Sequence, residues 1–333
     1  MEKISNNLLL YGPPGTGKTY NVVNYAVAII ENRPLEDVIA DGYGGNLEKY
    51  DKYTKMGRIA FMTFHQSLSY DDFIEGIRPE VTEDGELIYT PTPGAFYKFC
   101  VSSENPQKTD SPTDVGNCVF IIDEINRGNI SRIFGELITL LESSRRKGMD
   151  ECLEVFLAQM KVKFSVPANV YVLGTMNTAD KSLTALDAAL RRRFEFVEMM
   201  PDPDVLKGRR IMEVDLSKLL ATINNRIELL YDREHMLGHA YFIPVKTIDD
   251  LAQCMINKII PQLQDYFFDD YEKMCWVLGH ASDPRKCDFI KPRKRTNFQM
   301  MFNLPDVYDI VSNPSVYRDP ESYIAIYRGE DDS

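Results

Sequence analysis

Apolar positions in the first 200 residues gather into short continuous runs, separated by stretches where they recur every three or four positions. The runs at 7–11, 58–64, 117–122, 170–175 and 194–198 read as strands. Several are apolar throughout rather than alternating, as expected when helices cover both faces of a parallel sheet. A few residues after the first run, Tyr20, Val22, Val23, Tyr25, Ala26 and Val27 carry a helical pattern. The polar text from 33 to 55, with Gly42, Gly44 and Gly45, reads as an elaborated loop, and 104–113 as a second polar link. Pro201-Asp202-Pro203-Asp204 marks a boundary, because two prolines there forbid regular structure. Beyond it the period turns helical, through Leu216, Leu219, Leu220, Ile223, Ile227 and Leu230, then Leu251, Met255, Ile259, Leu263 and Phe267. The pattern predicts an α/β core over 1–200 and a smaller helical domain over 201–281. It leaves 282–333 unassigned.

Between the first strand and the first helix stands Gly12-Pro13-Pro14-Gly15-Thr16-Gly17-Lys18-Thr19, a G-x-x-x-x-G-K-[ST] loop. Glycines let successive backbone N–H groups turn inward and wrap phosphate oxygens. Lys18 supplies a point charge toward the β and γ phosphates, and the Thr19 hydroxyl suits Mg²⁺. The helix that follows aims its positive end at the same anion. Gly12 through Thr19, with Tyr20, are therefore the candidate nucleotide-binding residues, and the loop is expected at the carboxyl end of its strand.

Composition changes this picture little. The chain has 333 residues, 44% of them hydrophobic and 26% charged, as in ordinary soluble globular proteins of about two domains. No apolar run reaches the length of a membrane span, and no signal peptide is read before the loop, so a cytoplasmic protein is expected. Six widely spaced cysteines without a C-x-x-C pair argue against a zinc site and against a disulfide framework. A net charge of −12 disfavours a nucleic-acid-binding role for the surface as a whole. The concentrated basic segment, Arg285, Lys286, Lys291, Arg293, Lys294 and Arg295, reads as a solvated face or, alternatively, a DNA or partner contact.

Three further stretches carry candidate chemistry. The third strand delivers Asp123 and Glu124: Asp123 suits the Mg²⁺ shell beside Thr19, and Glu124 suits orienting and polarising an attacking water. The fourth strand runs into Asn177-Thr178-Ala179-Asp180. Asn177 is placed to hydrogen-bond both a γ-phosphate and the lytic water, while Asp180 reads either as part of the site or as a cap for a helix starting at Lys181. Arg191, Arg192 and Arg193 end a helix before Phe194. They complement its negative end, or Arg192 and Arg193 act as arginine fingers on a neighbouring subunit's nucleotide.

A core with a phosphate loop followed by a helical lid resembles the AAA+ superfamily, in which Asn177 would be sensor 1. More specific phrases are Phe64-His65-Gln66-Ser67-Leu68-Ser69-Tyr70-Asp71-Asp72-Phe73-Ile74-Glu75-Gly76-Ile77-Arg78-Pro79, Asp123-Glu124-Ile125-Asn126-Arg127-Gly128-Asn129-Ile130, Gly174 through Ser182 with its Met176-Asn177-Thr178-Ala179-Asp180, and Gly238-His239-Ala240-Tyr241-Phe242. Together they resemble the McrB family, the GTPase subunits of modification-dependent restriction systems. The resemblance implies GTP hydrolysis with Mg²⁺, a homo-oligomeric hexameric ring, and a McrC-like nuclease partner that stimulates hydrolysis and cuts DNA. Asn126 and Arg127 would then lie near the subunit face, in reach of partner-stimulated hydrolysis. His235 and His239 read as structural, with a lid contact from His239 to the nucleotide as the alternative.

Each phrase also has a packing reading. Residues 69–76 read as a short capped helix with Tyr70, Phe73, Ile74 and Ile77 on one face. McrB proteins usually carry an N-terminal reader of modified DNA, whereas here the loop comes almost at once, so DNA contact is expected through a partner or a further domain. The Asn-Lys-x-Asp guanine-reading motif of Ras-like GTPases is absent, so GTP rests on the resemblance, with ATP as the alternative. Two other functions share these motifs: a MoxR-like ATPase that remodels proteins, and a ring-forming module with slow hydrolysis.

Overall fold

The apolar runs pair into one five-stranded sheet. A computed structural model describes residues 4–109, 114–180, 188–283 and 285–329. In chain order its first strands are β1 (Asn7–Gly12), β2 (Ile59–Thr63), β3 (Glu75–Val81), β4 (Leu87–Pro93), β5 (Cys118–Asp123), β6 (Val155–Leu157), β7 (Val162–Phe164), β8 (Val170–Asn177) and β9 (Glu195–Glu198). The central sheet has the order β2-β5-β8-β1-β9, and β2–β5, β5–β8 and β1–β9 pair in parallel. Leu8, Leu9 and Leu10 of β1 and Val119 to Ile122 of β5 are all buried. At about 1.5–3 kcal/mol for each fully buried large apolar side chain, these runs hold the sheet between its helices.

The accompanying helices are α1 (Lys18–Glu31), α2 (Leu35–Ala40), α3 (Tyr43–Lys55), α4 (Tyr70–Phe73), α5 (Ala95–Ser102), α6 (Ile130–Phe134) and α7 (Ala188–Arg191). Helix α1 buries Val22, Val23, Ala26, Val27, Ile29 and Ile30. An aromatic cluster fills one side of the core: Phe73 stacks on Phe96 at 5.1 Å, and Phe120 meets Phe96 edge-on, also at 5.1 Å.

The chain divides into two compact units. One is the chain up to Tyr11 with Lys18–Glu198; the other is Gly12–Gly17 with the chain from Met199 onward. In the second unit α8 (Leu216–Leu230) starts at Asp215, whose carboxylate caps the Ser217 and Lys218 amides. Then α9 (Ile248–Cys254), a π-helical turn (Met255–Ile259), α10 (Ile260–Phe267) and α11 (Tyr271–Leu278) follow. Residues beyond 281 cluster with this unit, where Ile290–Pro292 pairs antiparallel with Tyr308–Ile310. No described helix is long and apolar enough to cross a membrane.

Three sequence expectations are corrected. The stretch from 33 to 55 is helical rather than a loop: α3 places Gly44 and Gly45 in its first turn and buries Asn46 and Tyr53. Asn46 donates to the Val38 carbonyl at 2.6 Å and to Asn24 Oδ1 at 3.1 Å, satisfying its buried amide nitrogen, while its Oδ1 is buried without a hydrogen bond among the described residues. Pro203 opens a 3₁₀ turn, Pro203–Leu206, because its missing N–H costs nothing at a first helical position. Helix α4 has the expected capping box between Ser69 and Asp72 but ends at Phe73. Glu75 starts the β3–β4 hairpin, so Ile77 is 49% exposed on a strand instead of packed on a helix.

Candidate functional site

Parallel pairing brings the carboxyl ends of β5 and β8 to one edge of the sheet, the edge where β1 leads into the phosphate loop. Gly15 and Gly17 have φ of +76° and +81°, conformations that favour glycine. Helix α1 then begins at Lys18, which is buried, while Thr19 and Tyr20 are exposed. Tyr20 stacks on Tyr43, ring centroids 3.9 Å apart. Burial lowers the Lys18 ammonium to about 8, against the opposing pull of Glu124, Asp123 and Asp180.

The register Ile122↔Gly174 sets Asp123 beside Thr175. The Thr175 hydroxyl donates to Asp123 Oδ1 at 2.6 Å and accepts from the Glu124 amide at 3.1 Å, so one side chain orients both acidic residues. Thr175 is absent from the sequence-derived candidates; its signal is a hydroxyl at the end of a strand otherwise apolar. Glu124 itself sits in the left-handed region at φ 53°, ψ 47°. A non-glycine residue there costs on the order of 1–3 kcal/mol, and such strain concentrates at active sites.

The two Glu124 oxygens differ: among the described residues Oε1 accepts a hydrogen bond, whereas Oε2 is buried without one and has only an ion-pair neighbour. Asn177, the last residue of β8, donates through Nδ2 to Oε1, and Arg127 Nε lies 3.4 Å from Oε2. Arg127 also reaches Asp180 Oδ2 at 3.5 Å, and Asn126 Nδ2 donates to the Asn177 carbonyl at 3.2 Å. Burial raises the Glu124 carboxyl, with Asp123 and Asp180 adding to the rise and Arg127 opposing it. The structure thus gathers Lys18, Asp123, Glu124, Asn126, Arg127, Asn177 and Asp180. The helix expected from Lys181 lies outside the described residues.

Other candidates separate. Arg191 and Arg192 are exposed, whereas Arg193 is mostly buried and pairs with Glu142 at 2.7 Å. His235 pairs with Asp232 at 2.6 Å, and His239 Nδ1 accepts from the Asp202 amide at 3.1 Å, both of them structural contacts. Four of the basic side chains between 285 and 295 face acids: Arg285–Asp283, Lys291–Asp288, Arg293–Asp309 and Arg295–Asp306. Paired this way, they fit the solvated-face reading.

Sheet order, phosphate loop and paired strand-end acids define an AAA-type nucleotide-binding domain followed by a helical lid. In agreement, residues 47–194 match the AAA domain (dynein-related subfamily) and residues 215–275 match the McrB alpha-helical lid domain. The chain is 32% identical, over 82% of its length, to the Type IV methyl-directed restriction enzyme EcoKMcrB subunit of Escherichia coli (strain K12). It is 26% identical, over 60% of its length, to YdiS, a component of the Type II restriction enzyme BsuMI of Bacillus subtilis (strain 168). The chain belongs to the McrB family. It spans 57% and 59% of the lengths of these two relatives.

Proposed function

We propose that this chain is a GTP-hydrolysing motor subunit that works in a hexameric ring and drives a McrC-like nuclease on modified DNA. The observation that carries the reading is the single acid–amide cluster in which Asn177 and Arg127 hold Glu124 while Thr175 holds Asp123. The loop amides and Lys18 bind the phosphates. Thr19 and Asp123 offer a hydroxyl and a carboxylate, hard oxygen donors that fit Mg²⁺ and would hold it. When bound, the ion would neutralise charge on the phosphates. Glu124 orients and deprotonates the attacking water, and Asn177 holds that carboxylate in place. Arg192, exposed, serves as the finger in trans; Arg193 anchors the turn through Glu142. Asn126 and Arg127 lie beside Glu124, where a partner subunit could alter its grip on the water.

Competition binding between GTP and ATP tests the nucleotide, with GTP expected to win. Equal or tighter ATP binding would turn the reading toward a protein-remodelling ATPase. Hydrolysis should rise when a McrC-like nuclease is added; a rate unmoved by it would favour a ring-assembly role.

Binding should also depend on pH through Lys18. The free protein holds this ammonium at about 8, and bound phosphates raise it, so binding above that value takes up a proton. Affinity is then full below about pH 8 and weakens as pH rises, by up to about tenfold per unit until the bound-state value is reached. Titration calorimetry between pH 7 and 10, in buffers of different ionisation enthalpy, reads the proton directly. A flat profile would remove Lys18 as the linked group.

A further inference from the structure

The phrase Gly238-His239-Ala240-Tyr241 has no task in the chemistry above, yet it lies against the phosphate loop within the second unit. The Ala240 amide donates to the Gly15 carbonyl at 3.0 Å. A Cβ on Gly238 would fall 2.0 Å from both the carbonyl carbon and the oxygen of Gly15, so only glycine permits this approach. A Cβ on Gly15 would meet the Tyr241 ring at 3.0 Å.

The segment making this contact is held from several directions. Buried Asn224 of α8 donates to the Leu237 carbonyl at 2.9 Å and accepts from the Leu237 amide at 2.7 Å. His239 accepts from the Asp202 amide at 3.1 Å, and burial keeps its imidazole biased to the neutral form that can accept. Tyr241 donates through its hydroxyl to Gln262 Oε1 at 3.0 Å. Each bond fixes one more degree of freedom before any ligand arrives, which is how preorganisation raises affinity.

The consequence follows from peptide geometry. No peptide bond in the described residues is cis, so the Gly15 C=O and the Thr16 N–H lie in one plane and point in opposite directions. Anchoring the carbonyl to Ala240 therefore fixes the Thr16 amide, aimed away from Ala240. The Thr16 side chain is also fixed, its hydroxyl donating to the Pro13 carbonyl at 3.0 Å. We propose that Gly238–Tyr241 is a positioning element for the phosphate loop: by holding Gly15 O it directs the Thr16 N–H at the bound triphosphate. The proposal rests on the loop being the triphosphate site. It gives the lid a share in phosphate binding through backbone alone, with no lid side chain touching the ligand.

The test uses Gly238→Ala, which must open the contact. Its Kd for GTP·Mg²⁺, or for ATP·Mg²⁺ if that binds more tightly, is expected to rise about 10- to 100-fold, as for one lost hydrogen bond to a charged group. The coupling can also be read without a variant, because it is reciprocal. Saturating triphosphate should slow hydrogen exchange at the Ala240 amide of the unaltered chain by a similar factor, a measurement that stands even if Gly238→Ala does not fold. Wild-type affinity in a folded Gly238→Ala protein, or Ala240 exchange unmoved by bound triphosphate, overturns the positioning role and leaves the phosphate site standing. If the unaltered chain binds no triphosphate, both readings fall, and that result is separate from the other two.

Discussion

Mixing Arg192→Ala subunits with Lys18→Ala subunits should restore hydrolysis that neither variant has alone. The first retains an intact phosphate loop and lacks the finger; the second keeps the finger, but its phosphate loop lacks the lysine. Only an oligomer in which Arg192 of one subunit faces the loop of the next contains composite sites with both parts. A finger in trans is worth about 10³–10⁵ in rate, whereas an arginine at a helix end contributes only ~0.3–1 kcal/mol to stability. The two roles are thus far apart in magnitude. Hydrolysis by Arg192→Ala alone within a few-fold of wild type, under conditions where rings form, would make it a helix-end charge. Arg193→Ala is a useful contrast, since its partner is Glu142 at 2.7 Å in the same chain. That variant should lower the melting temperature, and the double variant then reports the two effects together.

Glu124→Gln should bind triphosphate as tightly as wild type and lose turnover by about 10²–10⁴-fold, the usual worth of a positioned general base. The amide can still accept the Asn177 hydrogen bond, so that contact survives, while the basicity and the ion pair with Arg127 go. Glutamine in the left-handed region carries much the same strain as glutamate, so folding should be little changed. Single-turnover hydrolysis alongside a binding isotherm separates the two effects. Turnover at the wild-type rate would assign water activation to some other group.

Much of the fold was legible because it depends on signals that survive without neighbours. The five apolar runs became the five strands of the central sheet, with ends displaced by a residue or two. The misreadings arose where a distant partner decides. Gly44 and Gly45 argue locally against a helix, but α3 forms around Asn46, whose side chain reaches Asn24 and Val38. Ile77 continues a helical period from Tyr70 until pairing with Pro91 draws it into a hairpin. At the candidate site, Asp123, Glu124 and Asn177 announce themselves as polar residues at the ends of buried strands. Thr175 carries only the weaker signal of a hydroxyl at a strand end, because its importance lies in a register between β5 and β8. The different settings of Arg192 and Arg193 were likewise invisible, because Glu142 is remote in sequence.

The six residues Gly12–Gly17 interrupt the first unit in sequence yet cluster with the second. Cutting the gene at the proline-marked boundary would therefore not yield two self-sufficient pieces. A fragment ending at residue 198 would carry the loop with the Gly15 carbonyl uncovered, and a fragment from 199 would present the Ala240 amide with nothing to receive it. Co-expressing the halves, rather than purifying each, is the sound route to a split version of this protein.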